Sequence, residues 1–407
     1  MTLHHPNYSK LAQALRRGEG PGVLFEGDGA ELVGVPFHSR QARYLLGHDA
    51  YACAEHGLHF PGEPASDGAA TDCEVQENLH FHYPLLKAHE KGGGQRAKRL
   101  VMVLNGLNER SYAKYLPWAW QLWKTTGAAV ALFPLSFHVN RVHPSWGRTL
   151  ESHLERRRAV PNNENTHSYN CILSERLELR PERFFWGGVQ SYGDVVDFVR
   201  AVREGQHPHV DPHAQIDFLG YSAGGYLALG LLLGDEGGLF EASRAVLFES
   251  GAAMRATHLS TRLIMDLACE VALMKLYVRF TPRLANARLA HWLAEHDEGR
   301  WFRALFGEEK ERPRFEARLQ QLAPRLLAIA NTNDDVIPSS LVFNTMKGKH
   351  RDTGVRVEEL DLGVHEAPFV CPDYEQKDRR FVTEVLDEGA WGAGFARFIE
   401  LSAGLFG

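Results

Sequence analysis

The chain has 407 residues, a hydrophobic fraction of 44%, a charged fraction of 24% and a formal net charge of -6. That composition can fill one large core and excludes global disorder. It offers no basic field to displace counter-ions from nucleic acid and no polybasic segment to hold a lipid surface, so the expected partner is a small molecule.

The first twenty residues lack the apolar run and cleavage site of a secretory signal, which predicts a cytoplasmic protein. Up to residue 98, short β-like runs at Val23–Glu26, Glu31–Phe37 and Leu79–Leu86 predict an extension of strands and loops packed on the core. From Arg99 onward, apolar strand candidates at Leu100–Asn105, Ala128–Leu135, Ile216–Tyr221, Ala245–Glu249, Leu326–Asn331 and Val357–Leu362 alternate with helix candidates. The helices are expected at Tyr112–Lys124, Tyr192–Arg203, Ala223–Leu233 and Ser339–Lys347, with a closing amphipathic stretch from about Asp378 to Leu405. This alternation predicts an α/β fold, a mostly parallel, doubly wound sheet flanked by helices and joined by right-handed crossovers.

Two insertions follow strands, Ser136 to about Gly188 and Ala252 to about Ala323, and should overhang the crevice at the strand ends. The second carries helical patterns at Arg262–Phe280, Pro282–Glu295 and Trp301–Phe306 and is expected to be a cap over residues 252–323, leaving 99–251 and 324–407 as the core. Its most apolar stretch, Ser260–Phe280, is no membrane span, because Arg262, Asp266, Glu270, Lys275 and Arg279 interrupt it.

A buried strand runs into Gly220-Tyr221-Ser222-Ala223-Gly224, and an apolar helix follows. That is the strand–turn–helix which presents a nucleophilic serine, with Gly220 and Gly224 relieving crowding around a residue at positive φ. Serine needs a base and a group orienting that base. His365 lies just past a strand, on the loop Gly363–Phe369. For the acid, Asp334 and Asp335 follow the strand Leu326–Asn331, and Glu249 ends another strand. Backbone N–H groups of Ala223 and Leu107 are the expected oxyanion donors.

The order of these parts over roughly residues 99–400 resembles the α/β-hydrolase superfamily. Asn105-Gly106-Leu107 stands there in place of the more usual His-Gly-x, and Asn105–Tyr112, Lys114–Ala119 and Leu132–Arg141 resemble an uncharacterised bacterial branch. The resemblance selects Asp334 over Asp335 through its D-x-x-x-P spacing and implies a serine hydrolase with no cofactor acting on a small acyl substrate. Acyl transfer on the same triad and a non-catalytic binding protein of this fold are the alternatives. Dehalogenase or epoxide-hydrolase chemistry would call for aspartate at position 222.

Asn108, Tyr221, His138 and Arg141 are candidate substrate contacts, with Arg141 facing an anionic group; Glu109 and Arg110 stand beside the expected oxyanion donor. The cysteines, Cys53, Cys73, Cys171, Cys269 and Cys371, are odd in number and widely spaced, which predicts reduced thiols, with no disulfide framework and no zinc cage. His207, His209 and His213 with Asp211 form an expected surface loop, and Gly92–Gly94 a linker. Trp118, Trp120 and Trp123 are spaced for a helix packing on the sheet.

Overall fold

Strand periodicity organises the centre of the molecule. In the strand Ala97–Leu104, Leu100, Met102 and Leu104 enter one buried cluster, while Val101 and Val103 enter another. Alternate side chains of a strand face opposite ways, so this segment must be covered on both sides. A computed structural model describes residues 23–25, 27–48, 50–63, 71–89, 96–147, 150–235, 238–277, 286–369 and 390–407. The first twenty residues, the Gly92–Gly94 linker, Cys371, the stretch joining the first two expected cap helices and the start of the closing amphipathic stretch lie outside those residues.

The strands are β1 (Val23–Phe25), β2 (Ala30–His38), β3 (Ala50–Cys53), β4 (Leu58–Pro61), β5 (His80–Ala88), β6 (Ala97–Leu104), β7 (Ala129–Phe133), β8 (Val210–Tyr221), β9 (Ala245–Phe248), β10 (Leu326–Asn331), β11 (Arg356–Leu360), β12 (Gly363–Val364) and β13 (Ala367–Pro368). A nine-stranded sheet runs β1-β2-β5-β7-β6-β8-β9-β10-β11. From β7 to β11 every neighbouring pair is parallel, and β1, β2 and β5 extend the sheet antiparallel at one edge. The chain steps outward from β6 to β7 and then back across β6 to β8, which places a topological switch point between the carboxyl ends of β6 and β8.

Helices seal both faces. Leu116–Thr126 opens with proline in its first turn, stops at Gly127 with φ 69°, and buries Trp118 and Trp120 against the sheet, with Trp123 partly buried. Helix Glu182–Arg203 begins well before its expected start at Tyr192. Gly187 and Gly188 lower intrinsic helix propensity there, but packing overrides it: Ser136 Oγ donates to Gly187 O at 2.7 Å across the helix face. The first insertion is therefore shorter than expected and carries its own helices, Leu150–Arg158 and Cys171–Leu179.

Between β9 and β10 lie helices Leu267–Tyr277, Ala287–Glu295, Asp297–Phe306 and Arg312–Leu322. The last was not expected from the sequence. Helix Ala390–Phe406 returns across the sheet and packs Phe395 and Phe398 on Phe369. No helix among the described residues is long and apolar enough to cross a membrane.

The histidine-rich segment before β8 departs from the expected surface loop. His207 is buried, with Nε2 2.7 Å from Tyr83 Oη and Nδ1 accepting from the N–H groups of His209 and Val210. It caps the start of a central strand.

Candidate active site

The turn after β8 is confined by backbone. A Cβ on Gly220 would lie 2.3 Å from the Gly224 carbonyl oxygen, and one on Gly224 would lie 2.2 Å from the Leu104 carbonyl oxygen. Both are far inside van der Waals contact, so strand, turn and helix close up only with glycine at those positions. Ser222 sits between them at φ 51°, ψ -116°, its N–H donating to Phe248 O at 2.9 Å and its carbonyl accepting from Ser250 Oγ at 2.9 Å. A non-glycine residue held in that region is strained and persists because its neighbours over-determine it.

His365 is 1% exposed and lies between Ser222 and Asp334. Its Nε2 is 3.0 Å from Ser222 Oγ, and its Nδ1 donates to Asp334 Oδ2 at 2.7 Å. Asp334 is held in turn, because its Oδ1 accepts from the N–H groups of Val336 at 2.9 Å and Ile337 at 2.6 Å. Asp335 is exposed and takes no part.

Glu249 also reaches this cluster. Its Oε2 is 3.5 Å from His365 Nδ1, and its Oε1 accepts from Asn331 Nδ2 at 2.8 Å. Burial, reinforced by the charge of Asp334, pushes the Glu249 carboxyl well above the usual carboxylate range.

The loop after β6 is fixed by Asn105, whose Oδ1 accepts from Leu135 N–H at 2.9 Å and whose Nδ2 donates to Gly106 O at 2.8 Å. Gly106 is required at this point, since a Cβ there would lie 2.7 Å from the Tyr221 ring. Beyond it, Leu107 and Ala223 both line one cavity, together with Leu135, His138, Leu173, Phe184, Tyr226 and Trp301.

The candidate substrate contacts separate into distinct roles. His138 lines the cavity; its Nδ1 donates to Ser136 O at 2.8 Å, and burial pushes its pKa down to about 4, so the ring is neutral with Nε2 buried and without a partner. Asn108, at φ 61°, instead donates to Tyr169 O at 3.0 Å and Leu263 O at 2.6 Å, joining the two insertions. Glu109 pairs with Lys114 at 2.5 Å, and Arg110 binds Ser168 O and Tyr169 O. Tyr221 does not line the cavity: its hydroxyl, which burial keeps protonated, donates to the His365 carbonyl.

Arg141 does not face the cavity as expected. It is fully buried, paired with Asp194 at 2.8 Å and donating to Asn78 and Pro134 carbonyls, so it cannot meet an anionic substrate. Sequence reasoning assigned no role to Ser250, nor to Lys114, although Lys114 opens the Lys114–Ala119 motif. Lys114 Nζ donates to Glu366 O at 2.7 Å and lies 4.6 Å from the Tyr221 ring centroid, fastening the histidine loop.

A family model described as "Family of unknown function (DUF6051)" matches residues 2–390. The chain belongs to DUF6051. No curated protein matches this DUF6051 chain. Solved structures similar to it include an esterase from Pyrobaculum calidifontis, at 12% identity, covering 100% of this chain and 93% of that one with a TM-score of 0.44. A thermostable esterase from Pseudomonas putida has 13% identity, coverages of 98% and 88%, and a TM-score of 0.42. Carboxyl esterase 2 from the fungus Tuber melanosporum has 15% identity, coverages of 81% and 81%, and a TM-score of 0.38. The sheet of this DUF6051 chain is mostly parallel, doubly wound and flanked by helices.

Two predictions follow from the buried charges. Arg141→Ala should destabilise the fold by about 3–5 kcal/mol in denaturant unfolding, because it strands the Asp194 carboxylate, and it should not shift preference between neutral and anionic substrates. For Glu249, a carboxyl raised in the folded state contributes stability at low pH that is lost as pH rises toward its folded pKa. Glu249→Gln should therefore melt with the wild type at about pH 4 and above it at about pH 8, as measured by thermal unfolding across pH.

Proposed function

We propose that this chain is a serine hydrolase that cleaves an ester, thioester or amide bond through an acyl-enzyme intermediate. The supporting observation is the continuous relay from Ser222 Oγ through His365 to Asp334, at 3.0 Å and 2.7 Å, on a turn that only glycine neighbours permit. A serine hydroxyl is a weak nucleophile at neutral pH, and a neutral imidazole within hydrogen-bond distance is what activates it.

In this mechanism His365 Nε2 accepts the Ser222 proton as Oγ attacks the carbonyl carbon, and Asp334 stabilises the imidazolium through Nδ1. The N–H groups of Leu107 and Ala223 receive the developing oxyanion. The imidazolium then protonates the leaving group, and a water activated by the same ring deacylates Ser222. Glu249, whose carboxyl burial pushes well above the usual carboxylate range, leaves Asp334 to orient the base.

The cavity beside Ala223 encloses about 190 Å³ and is walled mainly by leucine and aromatic side chains. An apolar acyl or alcohol portion suits it, and His138 Nε2 offers one acceptor to a substrate N–H or O–H. The substrate is therefore a small molecule with a mainly apolar body. No step requires a cofactor.

A fluorophosphonate probe tests this directly. The wild type should be labelled at one serine, Ser222→Ala should not be labelled while remaining folded, and Asp334→Asn should slow ester hydrolysis by roughly 10⁴-fold. Glu249→Gln should remain within about tenfold of the wild type, since the neutral side chain is mimicked. A folded wild type that takes up no probe would mark a binding protein of this fold and end the proposal.

A further inference from the structure

Cys53, at the end of β3, and His56, in the turn to β4, meet His291 and His296 from the far side of the chain. One ligand atom from each of the four lies within 4.8 Å of every other. Cys53 Sγ is 3.4 Å from His56 Nδ1 and 3.3 Å from His296 Nε2. In a tetrahedral zinc site, bonds of about 2.3 Å to sulfur and about 2.0 Å to nitrogen set a sulfur-to-nitrogen edge of about 3.5 Å. The two observed edges match it.

The imidazoles are arranged as ligands. Their rings meet nearly edge to face, with centroids 4.9 Å, 5.0 Å and 5.2 Å apart, so they converge without stacking on one another. Glu55 Oε2 lies 3.2 Å from His296 Nδ1, which places the N–H there and turns the Nε2 lone pair toward Cys53. A carboxylate behind a ligating histidine is the usual outer support of a metal site. Trp292 stacks on the His296 ring at 3.8 Å and fixes its plane. Among the described residues His291 Nε2 is buried with no hydrogen-bond partner. Hydrogen bonding alone leaves that nitrogen unsatisfied.

We infer that Cys53, His56, His291 and His296 form a structural zinc site. One thiolate and three neutral imidazoles suit a borderline-soft cation of tetrahedral preference. Four protein ligands leave no open position, so the site is a clamp and not a second catalytic centre. A thiolate with Zn²⁺ carries one net positive charge, which the Glu55 carboxylate faces.

The clamp has a clear mechanical task. Among the described residues β3 and β4 pair only with each other, and a lone two-stranded hairpin is marginal in water. His296 sits at the corner between helices Ala287–Glu295 and Asp297–Phe306, and Glu298, Trp301, Phe302 and Leu305 of the second helix line the cavity. Zinc there pins the N-terminal hairpin to the roof of the candidate active site.

Full-length protein, made in zinc-supplemented medium and purified without a histidine tag or chelator, should contain about one zinc per chain by plasma mass spectrometry. Cys53→Ser and His291→Ala should each lose most of it, while Cys73→Ser, outside the cluster, should keep it. His56→Ala replaces an exposed ligand and serves if the buried variants fail to fold. Cobalt(II) added to the metal-stripped protein should give tetrahedral ligand-field bands and a thiolate charge-transfer band that Cys53→Ser abolishes. A folded wild type that holds neither zinc nor cobalt, or zinc retained equally in every variant, would overturn the site. A different transition metal held by these four residues would overturn the assignment to zinc.

Discussion

Backbone meets backbone closely where the helix after β8 crosses the end of β6. No side chain fits between Gly224 and the Leu104 carbonyl, or between Gly220 and the Gly224 carbonyl. The serine between these glycines must take a positive φ, and its hydroxyl is thereby lifted clear of the sheet. Sheet order and site geometry are one constraint here. If β6 were not hydrogen-bonded directly beside β8, the Leu104 carbonyl would not press on Gly224 and the loop carrying Leu107 would not reach the elbow.

Electrostatics then assigns unequal roles to two similar carboxyl groups. Asp334 accepts two backbone N–H groups as well as the His365 N–H. Glu249 has only the Asn331 amide on one oxygen and faces the charge of Asp334, so ionising it would place two buried anions side by side. One imidazole thus sees a single negative charge. The loop that carries it is tied down from behind, by Tyr221 to the His365 carbonyl and by Lys114 to the Glu366 carbonyl.

The roof over the cavity is assembled from distant stretches of chain. Asn108 joins the loop after β6 to both insertions, and Arg157 pairs with Asp266 to join the insertions to each other. Aromatic contacts of Tyr44 and Tyr51 with Trp292 bring the N-terminal hairpin onto the same helices. The inferred zinc clamp lies at the corner between two short helices.

The sequence by itself determined the frame and the nucleophile's setting. Apolar strands alternating with helices dictate a doubly wound sheet through periodicity, and glycines flanking Ser222 declare a crowded turn through sterics; both are local properties. It also put Ser222, Asp334 and His365 in a workable chain order, although Glu249 and Asp335 stayed open as acids. Only the tertiary structure separated these, by exposing Asp335 and burying Glu249 beside a fixed charge. It likewise removed Arg141 from the cavity, because whether a charged side chain faces solvent or an ion partner depends on neighbours far along the chain, here Asp194. Cys53 and His291 show the limit most plainly. Metal-ligand spacing is legible when a motif is contiguous, whereas these two pairs are joined solely by the packing of a hairpin against a helix corner, a long-range contact that no local pattern encodes.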